Sequence, residues 1–211
     1  MDITPELLGR LIDRSASAVQ AHASHLTRLD QAIGDGDHGS NLARGFVDLS
    51  ARQGELTSLP LGEALRKMGM ALVMKVGGAS GPLYGTLLIE MGKAAPEGRA
   101  VTLSDLAHMV EQGVAGLKRR GKSDRGQKTM LDVLCPVADE IAFAATAGDV
   151  DDLPSRVREA AADGLEATRP MQATRGRASY LGERSIDHLD PGAASSQLLI
   201  EAVIAVLEEA P

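Results

Sequence analysis

Asp30, Asp35 and Asp37 place three carboxylates within eight residues, in the run Leu29–Asp–Gln–Ala–Ile–Gly34–Asp–Gly36–Asp–His38–Gly39, and no Lys or Arg lies between Arg28 and Arg44 to neutralise them. Like charges this close call for a cation or for raised pKa values. Hard oxygen ligands suit Mg²⁺ or Ca²⁺, and Mg²⁺ with few protein carboxylates completes its shell with water and phosphate oxygens. An EF-hand does not fit, because counting Asp35 as position 1 puts Phe46 at position 12, where a bidentate Glu is needed. Taken alone, the three residues also read as a solvated acidic turn.

A second run, Lys75–Val–Gly77–Gly78–Ala79–Ser80–Gly81–Pro82, follows one helical pattern and opens the next. Its amides and the Ser80 hydroxyl would face a phosphate at a positive helix end. His38 and Asn41, polar groups on the way into another helix, could reach the same phosphates. A third run, Gly116–Leu–Lys–Arg–Arg–Gly121–Lys122–Ser123, matches the P-loop pattern letter for letter. Its context rejects that reading: a P-loop needs a buried strand before the first glycine, whereas residues 103–120 have helical periodicity. Gly121 stays a candidate nucleotide contact because it begins a junction. The stretch from Gly176 to Ala193 is long for a connection and carries Arg177, Tyr180 and Arg184, which favours a lid over an anionic ligand. Pairing of Arg184 with Glu183 or Asp187 is the plainer alternative.

The elements that must position these residues are helices. Apolar residues recur at spacings of three and four in eight segments, beginning with Leu7, Leu8, Leu11, Ile12 and Val19 and ending with Leu198, Ala202 and Val206. Thr4–Pro5 and Asp190–Pro191 mark helix starts, and Thr102 to Asp105 and Thr129 to Asp132 fit capping boxes with Asp in place of Glu. No segment alternates like a strand. The expectation is an all-α single domain over residues 1–211, eight helices running up and down. In that arrangement every second junction lies at the same end. The odd junctions hold eleven of the 23 glycines and the even ones three, so one end looks like a site and the other like plain connection.

Composition narrows the function. A net charge of −7 argues against a nucleic-acid surface, and four aromatic residues (Phe46, Tyr84, Phe143 and Tyr180) are too few for base stacking. Cys135 reads as a buried small hydrophobe. The N-terminus lacks a basic region followed by an apolar run, and the longest nearly apolar stretch, Leu198 to Leu207, is interrupted by Glu201. A cytoplasmic location without a membrane partner is therefore expected.

The acidic run, the Gly77–Pro82 run, Lys128–Thr129–Met130–Leu131–Asp132, and Gly176–Arg177–Ala178–Ser179–Tyr180–Leu181–Gly182–Glu183–Arg184–Ser185 together resemble the nucleotide-binding L subunit family of dihydroxyacetone kinase. The resemblance implies a closed barrel of eight antiparallel helices with ADP or ATP bound in loops at one end. It implies two Mg²⁺ ions held by Asp30, Asp35 and Asp37, and phosphate contacts from His38, Gly39, Asn41, Ala79 and Ser80. Gly121, Met130, Arg177, Asp190 and Gly192 match positions bordering the nucleotide, with Arg177 the candidate catalytic residue. Asp187 departs from the family pattern, standing where glycine is expected in many relatives. The implied partners are a K subunit that holds dihydroxyacetone covalently on a histidine and a phosphohistidine-carrying protein that rephosphorylates ADP in place; in another branch ATP exchanges freely. The alternatives are a nucleotide-responsive module docking a transcription regulator, a kinase subunit for another ketose such as erythrulose, and a stand-alone metallohydrolase.

Overall fold

The Thr4 hydroxyl accepts a hydrogen bond from the Leu7 amide at 3.1 Å, and Pro5 occupies the first turn, so the first helix starts where its residue types place it. The computed structural model describes residues 2–209 and contains, among those residues, nine α-helices, one 3₁₀ segment and no strand. The helices are α1 (Pro5–Ile33), α2 (His38–Ala51), α3 (Gln53–Leu56), α4 (Leu61–Lys75), α5 (Ser80–Ala94), α6 (Leu103–Gly121), α7 (Leu131–Ala147), α8 (Leu153–Ala167) and α9 (Pro191–Glu208). The eight long ones correspond to the eight periodic segments. The four-residue α3 is an addition inside the α2–α4 connection.

Thr102 and Asp105 form the expected capping box, and the Asp190 carboxylate accepts from the Ala193 amide at 2.7 Å. The Thr129–Asp132 box forms differently. Asp132 reaches back to the Thr129 amide at 2.7 Å, but α7 begins only at Leu131 and the Thr129 hydroxyl accepts from Leu131 instead. Lys128, which precedes this turn, is left-handed (φ 59°).

Each long helix packs on its chain neighbours, and α9 returns to pack on α1, closing the ring. Leu26, Leu42, Leu72, Leu117, Leu131 and Val133 fill the interior, each burial stabilising by roughly 1.5–3 kcal/mol. Where α4 meets α5 the backbones approach closely from both sides. A Cβ added at Gly69 would lie 2.5 Å from the Gly85 carbonyl oxygen, and one at Gly85 would lie 2.6 Å from that of Gly69. Glycine is needed there for contact between helices rather than for a turn. The closing helix α9 is long and apolar enough to cross a membrane by length and composition, with a mean hydropathy of 1.2. In this fold it packs against α1, α7 and α8 and buries Ala193, Ala194, Ala202, Ile204 and Val206.

The junctions α1–α2, α4–α5, α6–α7 and α8–α9 meet at one end around a single cleft. The P-loop-like letters lie on α6, with Lys122 just beyond it as a left-handed C-cap (φ 48°), so the rejected Walker reading has no loop to stand on.

Candidate functional site

The cleft, about 400 Å³, is built by all four of these junctions. Asp30 occupies the last turn of α1 and is buried. Its Oδ2 accepts from the amides of Asp37 at 2.9 Å and His38 at 3.1 Å, so this carboxylate both caps α2 and folds the acidic loop around itself. Room for it depends on Gly34, where a Cβ would lie only 2.0 Å from Asp30 Oδ1. The consequence is convergence: carboxylate oxygens of Asp30, Asp35 and Asp37 lie within 4.8 Å of one another. Arg177, from the 3₁₀ segment Arg177–Ser185, reaches across to Asp35 Oδ2 at 3.0 Å. That guanidinium offsets one carboxylate and leaves the buried Asp30 and its neighbour Asp37 as an all-oxygen donor set of the kind Mg²⁺ prefers.

Opposite the acidic loop, Ala79 and Ser80 open α5 at its positive end and line the cleft with Gly77 and Gly78. His38 is buried between Ser80, 2.9 Å from its Nδ1, and Ser195, 2.9 Å from its Nε2. Burial lowers its pKa more than Asp30, Asp37 and the Pro191 carbonyl raise it, so the ring is neutral at pH 7. Gly121, Met130, Arg177, Asp190 and Gly192 also line the cleft. Asn41 and Gly39 do not. Asn41 is held beneath Gly77 by a hydrogen bond from Arg44, and Gly39 packs against the Ala23 carbonyl of α1.

The lid behaves as a folded segment. Ser185 is fully buried, accepting from the Ala173 amide at 2.8 Å and donating to the Gly182 carbonyl at 2.7 Å. Asp187, flagged for standing where glycine is expected, adopts φ 66°, the left-handed conformation that favours glycine. Among the described residues, Arg184 pairs with neither Glu183 nor Asp187, while Tyr180 is 88% exposed on the same segment.

Lys128, Tyr84 and Ser195 carried no assigned role in the sequence. Lys128 is 1% exposed, and its ammonium donates to the carbonyls of Thr168 at 2.6 Å and His188, with that of Arg169 at 3.5 Å. It thus ties both feet of the lid to the α6–α7 loop. Burial pulls its pKa down while Asp190 pulls the other way. Asp190 itself is pushed up to about 7, by burial first and by Asp132 further. Burial pushes the Tyr84 hydroxyl up to about 12 against the opposing pull of Ser195, whose Oγ lies 2.7 Å away. A lysine among loop residues and a tyrosine on a helix give no periodic signal. Only Lys128 stood inside a recognisable motif.

Residues 32–205 match the DAK2 domain family. The chain is similar to the ADP-binding subunit DhaL of PEP-dependent dihydroxyacetone kinase 1 from Listeria innocua, 45% identical over 195 residues, which cover 92% of this chain and 93% of that protein. It is also similar to the ADP-binding subunit DhaL of the PEP-dependent dihydroxyacetone kinase of Escherichia coli, 37% identical over 202 residues, 94% of this chain and 95% of that one. Among solved structures, the dihydroxyacetone kinase from C. freundii in complex with AMP-PNP and Mg²⁺ superposes with a TM-score of 0.71 at 25% identity, covering 95% of this chain. The chain spans 34% of the length of that kinase chain.

Proposed function

This chain belongs to the DAK2 domain family, and from that premise we propose that it is the nucleotide-binding, phosphoryl-donor subunit of a dihydroxyacetone kinase, residues 1–211 forming one functional domain. The observation that carries the reading is the convergence of four sequence-distant junctions on one cleft, with three carboxylates within 4.8 Å on one wall and a glycine-rich helix start on the other. A nucleoside diphosphate or triphosphate with divalent metal is the ligand that needs both walls at once.

In this reading Asp30, Asp35 and Asp37 hold two Mg²⁺ ions, which supply neutralisation of charge on the phosphates of ADP or ATP. Ala79 and Ser80 contact phosphate from the start of α5, and His38 sits behind Ser80. Gly121, Met130, Asp190 and Gly192 border the rest of the nucleotide. Arg177 hangs over the cleft on the lid and steadies charge on the transferring group. Phosphoryl transfer asks for positioning and charge stabilisation rather than covalent chemistry from this chain. The acceptor hydroxyl must then come from elsewhere: a K subunit presenting dihydroxyacetone or a related ketose in line with the phosphoryl group. A phosphohistidine-carrying protein is the partner that would regenerate ATP from retained ADP. The names of the Listeria and Escherichia relatives, which pair an ADP-binding subunit with PEP-dependent activity, support this division of labour.

The test is reconstitution. The purified chain, verified free of other subunits, binds ADP with Mg²⁺ in a calorimetric titration and forms no dihydroxyacetone phosphate; addition of a K subunit and a phosphoryl donor system starts turnover. Product formation by the chain alone would overturn the two-subunit reading, and failure to bind any Mg²⁺ nucleotide would overturn the donor-site assignment.

A further inference from the structure

Ser80 is the outer end of a hydrogen-bonded chain running from the cleft into the bundle, and contact with a phosphate does not by itself require such a chain. Ser80 Oγ lies 2.9 Å from His38 Nδ1, and His38 Nε2 lies 2.9 Å from Ser195 Oγ. Ser195 Oγ lies 2.7 Å from the Tyr84 hydroxyl and 3.0 Å from the Gly192 carbonyl oxygen. Ser196 Oγ closes the far end, 3.0 Å from Tyr84 and 2.8 Å from the same carbonyl. His38, Tyr84, Ser195 and Ser196 are all buried, so their donors and acceptors must be matched within the chain.

Each hydroxyl has one proton, and a ring set between two hydroxyls needs only one N–H to bond both. Two directions of the hydrogen bonds at His38 satisfy the distances, one for each tautomer. In one, Ser195 donates to the Gly192 carbonyl, His38 donates from Nε2 to Ser195, and Ser80 must donate to the bare Nδ1. Ser80 then faces the cleft with lone pairs only. In the other, Tyr84 donates to Ser195, Ser195 donates to His38 Nε2, and Nδ1–H donates to Ser80, whose own proton is free to point into the cleft. The Gly192 carbonyl still receives the Ser196 proton. A phosphate oxygen only accepts, so an anionic ligand selects the second arrangement; a ligand that used Ser80 as a lone-pair donor, such as a metal ion, would select the first.

We propose that Tyr84 and Ser195 are positioning residues that hold His38 as its Nδ1–H tautomer when the cleft is filled, so that Ser80 presents its hydroxyl proton to a ligand phosphate. This rests on the reading that Ser80 meets a phosphate of the bound nucleotide. The relay connects α2, α5 and α9, so three helices set the direction of one hydroxyl group.

The direct measurement is the ring-nitrogen NMR spectrum of the full ¹⁵N-labelled chain saturated with ADP and Mg²⁺, His38 being assigned by its loss in His38→Gln. A protonated Nδ1 with a bare Nε2 is expected; a protonated Nε2 overturns the proposal, and this readout needs no variant in the relay. A double-mutant cycle supplies the second test. Ser80→Ala weakens ADP–Mg²⁺ binding about tenfold, the size of a lost hydrogen bond to a charged group. Ser195→Ala weakens it by up to about tenfold in the native background and by less than about twofold when Ser80 is already Ala. Tyr84→Phe gives a smaller loss with the same dependence on Ser80. Equal losses in both backgrounds would make Ser195 a scaffold residue and overturn the relay. If Ser80→Ala left affinity unchanged, the phosphate contact itself would fall, a result distinct from failure of the relay alone.

Discussion

At the connecting end of the bundle, the turn from α5 to α6 closes on its own residues. Thr102 and Asp105 cap each other, and Arg99 pairs with Asp105 at the surface, all within seven residues of chain. At the cleft end, the same task of ending one helix and starting the next is done by side chains of other elements, some of them far away in the chain. Asp30 of α1 caps α2, Lys128 holds carbonyls 40 and 60 residues distant, and Ser195 of α9 supports His38 of α2. Local caps make a turn independent of the rest of the molecule. Distant ones make four loops a single unit, which a site built from all four requires, and they place buried charged groups where a substitution has wide consequences.

Breaking that unit at Asp30 has the largest expected effect. Asp30→Ala removes an acceptor from two amides and a carboxylate from the cluster together. Stability falls by about 1–3 kcal/mol as the amides lose their partner, and ADP–Mg²⁺ affinity falls on the order of 100-fold. Asp30→Asn separates the two roles, since its amide oxygen can still accept from Asp37 and His38: melting temperature is largely retained while metal-dependent affinity is lost. Thermal denaturation beside calorimetric titration with and without Mg²⁺ checks both. Equal affinity for wild type and Asn would show that Asp30 only shapes the loop.

Lys128→Met comes next. It strands carbonyls of Thr168 and His188 in a buried place, which costs about 1–3 kcal/mol, and it loosens the lid that carries Arg177. Faster limited proteolysis or amide exchange across residues 170–188, with slower change elsewhere, is the expected signature. Unchanged exchange in that segment would show that Ser185 alone secures it.

These two residues also mark how far the sequence could be read. The count of long helices, their up-and-down order and the clustering of glycine at alternate junctions were legible because each depends on local periodicity or on residue types that suit turns; closure of the ring came only from the family resemblance. Asp30 was legible as well, since it stands seven residues from Asp37 with no cation between them. Lys128 was not. Nothing about its neighbours says that its ammonium would turn inward to carbonyls that arrive only when α8 and α9 are in place. Tyr84 and Ser195 are hidden for the same reason, being 111 residues apart. The start of α7 was legible to within one residue: Asp132 reaches back to the Thr129 amide as its type and spacing suggest, and the Thr129 hydroxyl meets the Leu131 amide.

A milder perturbation uses pH instead of mutation. Asp190 in the folded chain has its pKa pushed up from 3.8 to about 7, mainly by burial. Between those values the folded form keeps a proton that the unfolded form has lost. Stability from this group is therefore fully present below about pH 4, declines as pH rises, and is lost once pH passes about 7. Melting temperatures across that window should fall with rising pH by more in the wild type than in Asp190→Asn, which keeps an acceptor for the Ala193 amide but has no proton to lose. Parallel curves would mean that the Asp190 carboxylate is charged and compensated in the fold, with Lys128 the cation placed to do so.

The smallest effect is expected at the other end, and it is the one that tests whether the two ends are independent. Thr102→Ala removes the hydroxyl that accepts from the Asp105 amide and should lower stability by about 1 kcal/mol, the usual loss for a helix N-cap. Arg99 and Asp105 remain to hold the turn in shape through their own pair. Because every contact of Thr102 in this cap lies within the turn, and the cleft is lined by none of its residues, ADP–Mg²⁺ affinity and amide exchange in the lid should not change. A measurable loss of nucleotide affinity in this variant would mean that α6 transmits strain along its length to Gly121 at the cleft, and that the ring couples its two ends more tightly than their separate capping implies.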